Sequence, residues 1–123
     1  MNALFVFLGG GLGALARYAI AQWLPPVGIR VGQFPWATLT ANFLACSLLG
    51  IGLALVSRGQ LSRSAQLLLL TGFCGGFSTF STFAAELLEL LQRGHWPVAV
   101  AYLSVSLLLG VGSLLISLQL LLD

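Results

Sequence analysis

The stretch Gly72-Phe73-Cys74-Gly75-Gly76-Phe77-Ser78-Thr79-Phe80-Ser81-Thr82-Phe83 interrupts a run that is otherwise strongly apolar. Gly72, Gly75 and Gly76 carry no Cβ, so the backbone there leaves helical geometry at little steric cost, while Ser78, Thr79, Ser81 and Thr82 offer hydroxyls that cap a restarting helix. A helix broken at membrane depth strips amides and carbonyls of their partners, and this is tolerated only where the backbone is buried in protein or lines a polar cavity. The segment therefore reads as a helix interrupted in order to hold an ion. A second reading stands beside it: Gly72 and Gly76 match a small-xxx-small contact face, and the hydroxyls can bond back to their own helix. Three glycines and four hydroxyls in twelve positions exceed what close packing alone needs, which favours the break.

Composition says what surrounds this segment. Of 123 residues, 59% are hydrophobic and 7% charged, and the mean hydropathy is +1.03. So few polar groups cannot cover a globular surface, so the chain is a membrane protein. A spanning helix takes about 20 residues, which leaves room for four spans and no extramembrane domain. Charge comes from Arg17, Arg30, Arg58, Arg63 and Arg93 against Glu86, Glu89 and Asp123, with no lysine. That is too sparse and scattered for a nucleic-acid surface. Cys46 and Cys74 sit in apolar spans and in no CxxC or His-containing cluster, and read as reduced, buried small residues without chemistry. The N-terminus lacks a basic n-region and its apolar run is too long for a signal sequence, so it counts as a first span and nothing is cleaved.

The spans are expected at roughly 3–24, 34–56, 66–91 and 97–122, forming a single four-helix domain. Pro25-Pro26 ends the first. Within it Gly9 and Gly13 are four apart, and Gly10, Gly13 and Arg17 share a face. Arg17 lies about seven positions, or ~10 Å, inside the end of its span. It either snorkels outward or faces a wet vestibule where a fixed positive charge concentrates anions, and the vestibule is favoured. In span two Thr38, Asn42 and Cys46 recur every fourth residue. A carboxamide in hydrocarbon must bond either to another helix or to a permeating species, to which its NH₂ can donate. Beyond the break Phe80 and Phe83 share one side, with Thr79, Thr82, Glu86 and Glu89 on an adjoining one. In span four Tyr102, Ser106, Gly110, Ser113 and Ser117 form a polar stripe, either a contact face or a hydrated track. Trp23, Trp36 and Trp96 stand at span ends, as belt residues do. His95 has no second His or Cys near it in sequence and reads as interfacial.

Four spans put Arg58 and Arg63 on one side and Arg30 and Arg93 on the other. Two against two leaves orientation undecided by the positive-inside rule. A chain without bias inserts both ways up, which makes an antiparallel two-fold homodimer its natural assembly.

These features, the motif from Gly72 to Phe83 with Gly9 to Arg17 upstream, Asn42 in span two and Tyr102 in span four, resemble the CrcB/Fluc fluoride channels along the whole chain. The resemblance implies an all-α membrane protein in a prokaryotic cytoplasmic membrane, its third helix broken mid-membrane, assembled as a dual-topology antiparallel homodimer. It implies passive, fluoride-selective export of a toxic anion, with two pores and a structural Na⁺ at the dimer centre. Carried over, Gly75 and Ser78 would give backbone carbonyls to the sodium, Ser78 being a departure from the usual Thr. Phe80, Phe83 and Asn42 would line the pore, Ser81, Thr82, Tyr102 and Ser106 its hydroxyl track, with Glu86 deeper and Arg17 in the vestibule. The rival reading, a small multidrug-type proton-coupled antiporter, needs a carboxylate in span one, which holds Arg17 and no acid. No nucleophile, base and orienting group assemble around His95, so an enzyme is not expected.

Overall fold

The computed structural model describes residues 1–24 and 28–123. Four helical segments, each long and apolar enough to cross a membrane, account for most of them, and no strand occurs among the described residues. The protein is an all-helical, multi-pass membrane protein. Its third segment is the least apolar, with mean hydropathy 1.4 against 1.6, 2.0 and 2.2 for the others, because the hydroxyl-rich motif lies in it.

Helix α1 spans Asn2–Trp23 and leaves helical geometry at Leu24, in extended conformation with φ −87° and ψ 151°, as a residue preceding proline is driven to do. Pro25 and Pro26, expected to end the first span, lie outside the described residues. A 3₁₀ turn, Ile29–Val31, closes on Gly32 with φ 81°. A Cβ there would also come 2.7 Å from Nδ1 of His95, so this loop meets the one ahead of the last helix through glycine. Helix α2 runs Trp36–Ser57. Helix α3 covers residues 63–77: it opens with the Ser62 hydroxyl accepting from the Ala65 N–H, widens to π-helical winding over Gln66–Cys74 and ends in an α-helical turn, Gly75–Phe77. After two non-helical residues α4 spans Phe80–Gln92, and α5 spans Trp96–Leu122 with Pro97 in its first turn, where its missing N–H costs nothing.

In the packing, α1 lies along α3, α2 along α5, and α4 against α5. The α1–α3 seam is made by glycine on both sides. A Cβ on Gly72 would stand 2.9 Å from the Gly9 Cα, one on Gly76 would stand 3.0 Å from the Gly10 Cα, and one on Gly13 would stand 2.7 Å from the Phe77 nitrogen. The expectation that the motif's glycines leave helical geometry is not met, since Gly72 lies in the π-wound stretch and Gly75 and Gly76 in an α-helical turn. Gly75 itself has φ −64° and ψ −38°. Gly72 and Gly76 instead admit α1 to backbone contact, which is the small-xxx-small reading. Two buried clusters complete the packing. One gathers Tyr102, Leu90, Ala99, Leu39 and Phe83 between α2, α4 and α5, and the other gathers Ala41, Ala45 and Phe77. Much of the outer surface of α1 and α5 is exposed and apolar, Leu4, Phe7, Leu108 and Leu120 among it, as a lipid-facing wall is. Trp23, Trp36 and Trp96 are all exposed at helix ends.

Candidate functional site

The helix is interrupted at the hydroxyls. Ser78 has φ −75° and ψ 154°, and Thr79 has φ −148° and ψ 113°, both extended. Local side chains close the two ends. The Ser78 N–H and hydroxyl both donate to the Cys74 carbonyl, at 3.0 and 2.9 Å, and the Thr79 hydroxyl accepts from the Thr82 N–H at 3.2 Å, capping α4. Those bonds leave the central amides and carbonyls still to be matched, and two other helices supply partners. Asn42 of α2 accepts from the Thr79 N–H at 2.7 Å and donates to the Thr79 carbonyl at 3.3 Å. Arg17 of α1 donates from Nε to the Gly76 carbonyl at 3.2 Å. Of the roles open to Asn42, bonding to another helix is thus occupied, and one hydrogen of its NH₂ is left over.

Around this interruption the predicted site residues fall into three groups. Phe80, Phe83, Asn42, Ser78 and Ser106 border one pocket of about 350 Å³, together with Thr79, Cys46 and the α5 face from Leu107 to Leu114. The Phe80 and Phe83 ring centroids are 6.0 Å apart, inclined at 45°. Phe83 is buried against Tyr102, centroid to centroid 4.9 Å, whereas Phe80 is 80% exposed. The Ser106 hydroxyl is buried without a hydrogen-bond partner.

The second group lines a cavity of about 370 Å³ between α1, α2 and the start of α4: Arg17, Tyr18, Thr38, Thr79 and Thr82 with three alanines. Thr82, expected on the same track as Ser106, faces this cavity instead, and Ser81 is exposed with its hydroxyl 3.5 Å from that of Thr79. In the third group the Tyr102 hydroxyl donates to Glu86 Oε1 at 3.2 Å, and Thr38 joins them through its own hydroxyl. Thr38 and Thr79 were not among the predicted site residues. The stripe Thr38, Asn42, Cys46 was the signal for the first, since all three turn toward α4 or the pocket. Thr79 lines both cavities, and nothing in a single sequence marks that.

Gly75 and Ser78 offer backbone oxygen of the kind a hard cation takes. The Thr79 N–H, which an unbroken helix would give to the Gly75 carbonyl, goes to Asn42. Gly75 is exposed, with no atom within 4 Å of where its Cβ would be. Among the described residues no three His, Cys, Asp or Glu side chains come together as a metal site, so a cation here would rest on such carbonyls. Backbone carbonyl oxygens fit Na⁺ in donor type.

Residues 4–118 match the model of the family described as CrcB-like protein, Camphor Resistance (CrcB). The chain belongs to the CrcB family. Its relatives in that family include proteins named fluoride-specific ion channel FluC from Phocaeicola vulgatus, 40% identical over 89% of both chains, and from Saccharophagus degradans, 39% identical over 95% of this chain and 86% of the relative. A third of that name, from Thermus thermophilus, is 44% identical over 88% of this chain and 84% of the relative. CrcB relatives are thus named as channels and not as enzymes. In this CrcB chain the aromatic pair, the clamped interruption and the unpartnered serine all border one pocket.

Proposed function

We propose that the protein is a passive, fluoride-selective channel that lets fluoride leave the cytoplasm, working as an antiparallel dual-topology homodimer in a prokaryotic inner membrane. The observation that carries this reading is the pocket bordered by Phe80, Phe83, Asn42 and the unpartnered Ser106 hydroxyl. Its lining offers donors: the spare Asn42 hydrogen, the Ser106 O–H and the ring edges, which bear the positive part of the aromatic quadrupole. Neither acid nor base borders it. Such a lining stabilises a small anion without fixing it, as conduction requires. The relatives' names supply the ion.

The second copy follows from what one chain leaves open. Phe80 is 80% exposed beside the interruption, and Gly75 faces open space. A partner helix crossing there would cover both and complete the pocket wall. With two arginines on each side, head-to-tail insertion is the arrangement that charge allows. Gly75 and Ser78 from both copies would hold a Na⁺ at the crossing, at mid-membrane, where the ion would tie the two interrupted helices together. Arg17, lining the neighbouring cavity, would raise the local anion concentration while its Nε holds the Gly76 carbonyl. Tyr102, Glu86, Thr38, Ser81 and Thr82 form the polar surroundings through which the ion leaves.

The test is efflux from liposomes. Reconstituted protein loaded with fluoride and chloride should release fluoride, read by electrode, and retain chloride. Equal loss of both ions, or of neither, contradicts the proposal.

A further inference from the structure

Cys46 and Cys74, far apart in the chain and without a motif, are brought together by the fold. Both border one cavity of about 140 Å³ between α2 and α3, with Leu49, Leu70, Gly75 and Ser78. Both are free thiols, Cys74 buried and Cys46 half-buried. Cys46 also borders the larger aromatic pocket. There α5 passes beside it at Gly110, where a Cβ would stand 3.7 Å from the Cys46 sulfur, in ordinary contact. The small cavity is thus lined by both cysteines, and it is many times larger than one water needs.

We infer that Cys46 and Cys74 form a two-thiol site for a soft divalent metal ion of the mercuric class. Thiolates select soft ions over hard ones. Beside so apolar a lining the complex must also be close to neutral, since an uncompensated charge there is costly. A divalent ion on two thiolates meets both demands, whereas a monovalent one leaves a net negative charge. Supplied as the neutral dichloride, which crosses lipid, the metal exchanges its two chlorides for two sulfurs: both S–H bonds break, two Hg–S bonds form, and two protons and two chloride ions leave. No electron is transferred. Cys74 immediately precedes Gly75 and its carbonyl holds Ser78, so a metal bound there is anchored to the interruption itself.

The experiment measures retained mercury. Purified protein is treated with HgCl₂, washed with excess glutathione and assayed by mass spectrometry. Two thiols on one scaffold act at a mutual effective concentration that a free monothiol does not match, so the wild type should keep about one mercury per chain. Cys46→Ser and Cys74→Ser, each eluting as the wild type does, should fall to background. Cys46→Ala serves if the serine variant does not elute normally. Retention by either single variant equal to wild type, or stripping of the wild type by glutathione, overturns the site. A second arm rests on the channel reading: mercury should slow fluoride efflux at least several-fold, and a dithiol chelator should restore it. Retention of mercury by a protein that moves no fluoride upholds the site and counts only against the channel.

Discussion

Asn42 holds Thr79 by both of its backbone groups, accepting from the N–H at 2.7 Å and donating to the carbonyl at 3.3 Å. One amide side chain thus replaces two helical hydrogen bonds at the point where the third membrane segment stops being a helix. An unmatched buried backbone group costs about 1–3 kcal/mol. Asn42→Ala should therefore lower stability by about 2–6 kcal/mol when two groups lose their partner, read as an earlier midpoint of unfolding in detergent. Asn42→Asp keeps the acceptor, loses the donor and puts negative charge beside the pocket. It should fold better than the alanine variant yet conduct fluoride less well than wild type. Equal stability of Asn42→Ala and wild type would show that the clamp is idle.

The aromatic pair divides the work of folding from that of conduction. Phe83 packs on Tyr102 in a buried cluster, while Phe80 is 80% exposed and meets Phe83 at 6.0 Å. Phe80→Ile should leave the stability of the single chain within about 0.5 kcal/mol, and Phe83→Ile should lower it. Both should slow fluoride efflux about tenfold or more, since removing about 1.4 kcal/mol of stabilisation at the barrier has that effect. Wild-type flux from both variants would take the ring edges out of the mechanism.

Ser106 separates the two roles more sharply, because its buried hydroxyl has no partner in the chain. A hydroxyl kept only for structure would be hydrogen-bonded. Ser106→Ala should hold or raise thermal stability and still reduce fluoride flux. A stable variant with undiminished flux would leave the hydroxyl without a role in conduction.

Two neighbouring glycines should respond in opposite ways. At Gly76 a Cβ would run into the Gly10 backbone, whereas at Gly75 it would meet nothing within 4 Å. Gly76→Ala should destabilise the fold itself, because backbone cannot yield as a side-chain tip can. Gly75→Ala should leave the chain folded and act at the crossing of two copies, lowering the dimer fraction measured by light scattering in detergent. A Gly75→Ala protein that remains fully dimeric and conducts normally would place the crossing elsewhere.

The four helices were legible because hydropathy and length decide them, and Pro and Trp mark their ends. The position of the interruption was only half legible. Glycine density signals both a helix that leaves its geometry and a helix that admits a neighbour, and here Gly72 and Gly76 do the second while Ser78 and Thr79 do the first. Gly9 and Gly13 showed that α1 has a matching face, but a single sequence does not say which helix meets it. The polar residues were recognisable as out of place in hydrocarbon. Their partners were not, since Asn42 with Thr79, Arg17 with Gly76 and Tyr102 with Glu86 pair residues from different helices, and only the fold brings them together.

The account stands on two copies lying head to tail around the interruption, and orientation-biased variants test that most directly. One variant carries a lysine pair added to the Arg58–Arg63 loop, the other a lysine pair added beside Arg93. Each should insert one way only. Fluoride efflux is then measured from liposomes made from cells expressing either variant alone or both together. The predicted result is little flux from each alone and flux restored when they are mixed. Full flux from one variant by itself would contradict the antiparallel assembly.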